Sequence, residues 1–336
     1  MKQYLARACL ALHLALLSAC GGGSDPMPVV QPFLVIATVN GLPVPALGLK
    51  YSVTMESGDS LELKASPAGM EWKVTADGNV IEAQASEDGA RWSAVLTSPK
   101  GGQIVIQAQS TDDPSQQATI TAVVRPQQYA RGAARSGEVN TWRESTTRND
   151  GAVEAKTLQD TTTTVGGDGS HSVERRDITG GAPGRLLEMQ SLDADANHLS
   201  RSIAGGPRCT YAPVRDLLDF PLYYGKSWQP SWQVDCDDGG HERADGMTTV
   251  DGYERITVAQ GQHDALRLTT HLALTQSNDV QLSGGPLGQA AYAQDIVCWW
   301  SVTLQRTVQC TIRTEYAGTQ PPGYADTVVQ ELSGHR

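Results

Sequence analysis

No stretch of this chain is both long and apolar enough to cross a bilayer as a helix. Its best candidate, Leu10 to Leu17, falls far short of the ~20 residues that a helical span needs. Positive charge is also scarce, with 26 Lys and Arg against 37 Asp and Glu. That balance excludes nucleic acid, and adsorption to anionic headgroups, as expected partners. Convincing helical periodicity is missing beyond the N-terminal segment. The C-x-x-C spacing of common zinc sites is absent, as is the G-x-S-x-G nucleophile elbow. His241-Glu242-Arg243-Ala244-Asp245 is one residue away from H-E-x-x-H, but it sits between Gly240 and Gly246, where a helix is not expected. Neither Asp193-Ala194-Asp195-Ala196-Asn197 nor Asp235-Cys236-Asp237-Asp238 has the sixth-position glycine together with the twelfth-position glutamate of a calcium loop. No metal and no cofactor is expected.

What is present begins with an export segment. Lys2 and Arg7 precede the run Leu10–Leu17, which only His13 interrupts, so residues 1–19 form a cleavable signal. Leu17-Ser18-Ala19-Cys20 resembles the lipobox of bacterial lipoproteins at all four positions. The resemblance implies that Cys20 is acylated and becomes the first residue after cleavage. Each buried methylene of its acyl chains would contribute ~0.8 kcal/mol to membrane retention. Gly21 stands where an aspartate would imply inner-membrane retention, so the expected address is the outer membrane, facing the periplasm or the surface. Residues 20–32, rich in Gly, Ser and Pro, read as a flexible tether. Loss of Lys2 and Arg7 with the signal leaves 24 bases against 37 acids, a formal net charge of −13 on 317 residues.

Six cysteines occur in the chain. Cys9 leaves with the signal and Cys20 carries lipid, so Cys209, Cys236, Cys298 and Cys310 remain in an oxidising compartment and imply two disulfides. Three pairings exist. Nearness in sequence and strand-like flanks favour Cys209–Cys236 and Cys298–Cys310, the second clipping a hairpin centred on Leu304. Each bridge would stabilise by ~3 kcal/mol.

The body is punctuated by Asx-Gly pairs at Asn40, Asp77, Asp88, Asp150, Asp168, Asp238, Asp245 and Asp251, a pairing suited to tight turns. Between them the apolar residues alternate, as in Leu61, Leu63 and Ala65, or Leu266, Leu268, Leu272 and Leu274. Period two with glycine-rich breaks predicts an all-β fold. Short helical turns are expected only near Val214–Leu218 and Leu287–Ala293. Residues 33–125 have the length and strand spacing of a β-sandwich. The sequences Gly58-Asp59-Ser60-Leu61-Glu62-Leu63-Lys64-Ala65 and Ile106-Gln107-Ala108-Gln109-Ser110 resemble bacterial immunoglobulin-like repeats, which implies a spacer or adhesive module without catalytic residues. Residues 126–137 read as a linker.

Residues 138–336 form a second unit. Hairpins are expected from Val139–Arg148 with Val153–Val165, and from Leu186–Leu192 with His198–Ile203. The segment Phe220-Pro221-Leu222-Tyr223-Tyr224-Gly225-Lys226-Ser227-Trp228 resembles the P-L-x-x-G-K-x-W stretch of uncharacterised proteobacterial envelope proteins. Further matches are Ile256–Gly261 leading to Ala265–Leu268, and Trp299-Trp300 leading to Arg306-Thr307-Val308. Ala259-Gln260-Gly261-Gln262-His263 departs from that group's P-A-G-x-F turn. The resemblance implies a larger curved antiparallel β-sheet or a partly open barrel, and assigns no activity.

Trp142, Trp228, Trp232, Trp299 and Trp300 crowd into this unit. Core filling is the ordinary role for such residues. The functional alternative is a stacking surface of Trp228, Trp232, Trp299 and Trp300 for an envelope protein, a glycan or a lipid. The leading expectation is therefore a non-catalytic, lipid-anchored binding or scaffold module of the cell envelope. A hydrolase with an unrecognised site around His241, Glu242, Asp245 and His263 is the enzymatic alternative. A structural subunit of an envelope assembly is the third.

Overall fold

The computed structural model describes residues 34–44, 50–181, 183–277, 291–316 and 324–336. The export segment, Cys20 and the tether lie outside the described residues. Among the described residues every regular element is a strand, as the alternating pattern requires. Nine strands make up the first part: β1 (Leu34–Val39), β2 (Leu42–Pro43), β3 (Lys50–Met55), β4 (Ser60–Ser66), β5 (Met70–Ala76), β6 (Asn79–Ala85), β7 (Arg91–Thr97), β8 (Gly102–Ser110) and β9 (Gln117–Val124). They form a five-stranded sheet, β2-β1-β4-β7-β6, and a four-stranded sheet, β3-β9-β8-β5. One core lies between them, with Leu61, Leu63, Leu96, Ile104, Ile106 and Ile120 fully buried. Each such side chain contributes about 1.5–3 kcal/mol on leaving water. The pair β3–β9 is parallel, whereas the other strand pairings among the described residues are antiparallel.

The remaining strands are β10 (Val139–Arg148), β11 (Val153–Val165), β12 (His171–Asp177), β13 (Arg185–Leu192), β14 (His198–Ile203), β15 (Arg208–Arg215), β16 (Ser227–Trp228), β17 (Ser231–Cys236), β18 (His241–Val258), β19 (Gly261–Ser277), β20 (Ala291–Ser301), β21 (Arg306–Tyr316) and β22 (Ala325–His335). The partly open barrel expected from the sequence is in fact closed. Twelve strands pair in a ring, β18-β17-β15-β14-β13-β12-β11-β10-β22-β21-β20-β19, and β19 returns to β18. The short β16 adds to β18 alone. Closure follows from two long-range pairings. β22 lies between β10 and β21, and the 18- and 17-residue strands β18 and β19 pair along their whole length while still reaching β17 and β20. A closed ring leaves no edge among these twelve strands.

The helical turn expected near Val214–Leu218 does not form: Val214 and Arg215 complete β15. Of Leu287–Ala293, residues 291–293 belong to β20, and 287–290 lie outside the described residues. Cys209 bonds to Cys236 and Cys298 to Cys310. Each bridge joins residues directly opposite in adjacent strands, β15 with β17 and β20 with β21.

Candidate functional site

Period-two alternation sends one face of each ring strand inward. Cys209, Tyr211, Trp232, Val234, Ala244, Leu272, Leu274, Tyr292 and Ile296 gather there in one apolar cluster. Polar residues share this interior. Asp160, Arg175 and Glu188 are cross-strand neighbours on β11, β12 and β13. Arg175 gives two hydrogen bonds to Asp160, at 2.7 and 2.8 Å, and stands 3.5 Å from Glu188. Burial opposes its charge, but Asp160, Glu188 and Glu144 together outweigh burial and hold the guanidinium protonated. Arg201 follows at 4.0 Å from Glu188. Tyr292 donates to the buried Glu242 carboxylate at 2.8 Å, and burial followed by that carboxylate pushes the phenol upward.

A group of hydrogen-bonding atoms at the β14–β15–β17 side of the interior is shielded from solvent and lacks a partner among the described residues. It comprises His198 Nδ1, Arg201 Nε, Tyr211 OH, Arg215 Nε, Trp232 Nε1 and Asp216 Oδ1. All but the Asp216 oxygen belong to groups able to donate. His198 and Arg215 are ladder partners. The His198 ring meets Tyr211 edge-on at 5.8 Å, and the Arg215 guanidinium lies 5.3 Å from the Trp232 ring centre. Burial, then Arg215, Arg175 and Arg201, push the His198 imidazole well below its ordinary value, so it is neutral at pH 7. Buried polar groups normally find partners, so this concentration of donors is the most unusual polar feature of the interior among the described residues.

Beside it lies a cavity of about 170 Å³ whose wall includes His198, Arg215, Leu217, Leu268, Ile296 and the Cys298–Cys310 bridge. β14 and β15 are not neighbours of β19–β21 in the ring, so the cavity is inside it. It adjoins a second space of about 120 Å³ through Ala196, Leu218 and Thr307. That space shares Glu138, Gln305 and Arg306 with an open groove of about 480 Å³ beside Arg135 and His335. The segment read as a linker lies across this end of the barrel. Tyr129 pairs with Leu222 through both backbone groups, and Arg131 bonds to the Ala194 carbonyl and lies 3.2 Å from His171. Gly132 packs so closely on the β20–β21 turn that a Cβ there would stand 2.9 Å from Gln305 Oε1. Arg306 binds Glu138, Asn140 and His335 beneath it.

Of the four tryptophans weighed as an alternative binding surface, two are core and two are half-buried. Trp232 and Trp300 are each 1% exposed, so neither can stack on an external ligand. Trp300 packs with Leu222, Leu266 and Leu268, and its ring meets Tyr129 and Phe220. Trp299 and Trp228 are half-buried, and both indole N–H groups are engaged internally, at 2.7 Å to Glu254 and 3.1 Å to the Asp216 carbonyl. The reason lies in the pleat: adjacent residues of β20 face opposite ways, and both faces are covered here.

The set considered for hydrolysis does not assemble. His241 and Asp245 are exposed, whereas Glu242 between them turns inward. His263 pairs with Ile256 near the far end of the β18–β19 ladder, roughly 50 Å from His241 at ~3.4 Å per residue. His263 Nδ1 lies 3.4 Å from Ser301 Oγ, a pair the sequence did not suggest. Ser301 is wholly buried and its oxygen accepts the Leu304 N–H, so it serves the β20–β21 turn. Among the described residues no cluster of three His, Cys, Asp or Glu could hold a metal ion.

Sequence comparison finds no known family and no curated protein that matches. Among solved structures the chain is similar to an inferred exported protein with a YmcC-like fold from Bacteroides fragilis NCTC 9343, at 9% identity and a TM-score of 0.38, over 62% of this chain and 99% of that one. An inferred lipoprotein from Parabacteroides distasonis ATCC 8503 gives 9% identity and 0.35 over the same shares. The hypothetical lipoprotein YmcC from Escherichia coli (K12) gives 11% identity and 0.30, over 60% of this chain and 86% of that one. With TM-scores below 0.5, none of the three carries a role over to this chain.

Proposed function

We propose that this chain is a non-catalytic binding protein of the cell envelope. Lipid at Cys20 holds it at the outer membrane, an immunoglobulin-like sandwich serves as the spacer, and the closed barrel receives a small molecule. The observation that carries this reading is the row of shielded, unpartnered donors beside a cavity that opens to the barrel mouth. A cavity of about 170 Å³ is small against the ~300–1,000 Å³ of ordinary ligand pockets. It suits a compact molecule better than a lipid chain. The dispersion of His241, Glu242, Asp245 and His263 favours binding over hydrolysis.

Two measurements test the proposal. Metabolic labelling with palmitate should mark the wild-type chain in the outer-membrane fraction and leave Cys20→Ser unlabelled and released. Native mass spectrometry of gently extracted protein should find a small-molecule adduct that disappears in Leu218→Trp, which fills the passage. An unlabelled wild-type chain removes the tether, and an adduct unaffected by L218W removes the barrel as the binding site.

A further inference from the structure

The cavity, the passage and the groove carry the opposite sign of charge to the chain as a whole. The mature chain is acidic, at −13, yet Arg131, Arg135, Arg215 and Arg306 line this path and Glu138 is the one acidic side chain among its lining residues. Arg336 also borders the groove. Arg306 is paired with Glu138, and Asp195 and Asp193 act on Arg131. Arg135 and Arg215 remain, and among the described residues no carboxylate lies within 4 Å of either. Arg135 is exposed at the rim, whereas Arg215 stands at the inner end with its Nε shielded and unpartnered.

We infer that the inner cavity is an oxyanion site. A small acid, a carboxylate or phosphate on a short apolar body, enters along the groove past Arg135 and seats its oxygens between Arg215 and His198. This deepens the binding function proposed above and rests on it. Arg215 supplies the fixed charge, and a guanidinium presents its donors in a fork that matches two oxygens. The neutral His198 adds a donor from Nδ1 when the proton sits there, a tautomer that the ligand itself would select. Trp232, under the Arg215 guanidinium, fixes the plane of that fork. Leu217, Leu268 and Ile296 form the apolar part of the wall, which disfavours a hydrated inorganic ion and favours an acid with a hydrocarbon body. Among the six atoms only Asp216 Oδ1 belongs to an anionic group, whereas Arg201 and Arg215 carry fixed positive charge, which favours an anion over a cation.

Titration calorimetry on the detergent-solubilised full chain tests this with hexanoate, phenyl phosphate and neutral hexanol, each against a chloride control of equal ionic strength. One or both acids should bind saturably, and the acid that binds identifies the head group. Arg215→Met should weaken that binding about tenfold or more, as loss of a charge-assisted hydrogen bond implies. Arg135→Glu, an exposed change that leaves folding intact, should slow association several-fold at low salt and less so at high salt. If neither acid binds, the oxyanion site is wrong. Hexanol binding alone would then leave the barrel as a binder of neutral molecules, and a failure of all three probes would remove both readings. Equal affinity in R215M and wild type, or an association rate indifferent to R135E, would also overturn it.

Discussion

Trp299 and Trp300 are neighbours in one strand and do different work. Trp300 fills the interior, so Trp300→Ala should cost about 3–5 kcal/mol, as deletion of a large buried aromatic does. Trp299→Phe keeps most of the packing and loses the bond to Glu254, a change of about 1–2 kcal/mol. Urea denaturation of both variants checks the ranking. His198 controls a different response. Its imidazole is held well below the ordinary value of ~6.5. Below that pH the unfolded chain takes up a proton that the folded chain refuses. Stability is therefore full above pH 6.5 and falls as the pH drops, by up to about 1.4 kcal/mol per unit for this one group. His171 and His335, both lowered by burial first and by neighbouring arginines second, add losses of the same sign. His198→Asn should flatten the decline between about pH 6.5 and 4.5, above the range where Asp88, Asp113 and Asp168 titrate. An unchanged slope in denaturation midpoints across that window would show that His198 is not the group responsible.

The strands themselves were largely legible, because alternation reports which face is covered. The hairpins expected at Val139–Arg148 with Val153–Val165 coincide with β10 and β11, and the alternating Leu266, Leu268, Leu272 and Leu274 all point into the core. Asx-Gly pairs were a less faithful guide. Asp245-Gly246 and Asp251-Gly252 lie inside β18, where pairing with β19 overrides a local turn preference. Gly252 sits at a register shift. Gly246 is there because a Cβ would come within 2.2 Å of the His271 carbonyl oxygen, closer than real contacts allow. Gly246→Ala should therefore push β19 away from β18 and lower the melting temperature of the barrel, which calorimetry would record. The disulfides give a second comparison between elements. Cys209–Cys236 closes 27 residues and Cys298–Cys310 closes 12. On chain entropy alone the first should stabilise by about 0.7 kcal/mol more. Paired Cys→Ser variants measured in the same denaturant test that order. The donor site was not legible at all. Arg201, Arg215 and His198 match no motif in their strands, and only ladder pairing brings them to the side of Tyr211 and Trp232.

At the scale of the molecule, ring closure is the feature that alternation could not reveal. A strand pattern states which residues face inward but not which distant strand lies alongside. The closing pair β10–β22 joins segments about as far apart as this part of the chain permits. Truncation before Ala325 removes Leu332 from the core and strips pairing from both β10 and β21. The barrel should then lose its cooperative thermal transition while the sandwich, which has its own buried core, keeps one. A single transition that shifts without losing amplitude would contradict the ring as the unit of stability.

That same arrangement imposes an order of events on biogenesis. A polypeptide delivered N-terminus first presents β10 long before β22 emerges, so the free side of β10 stays unsatisfied until β22 arrives. Slow delivery of the intervening strands would prolong exposure of that sticky flank and with it the chance of mispairing with another chain.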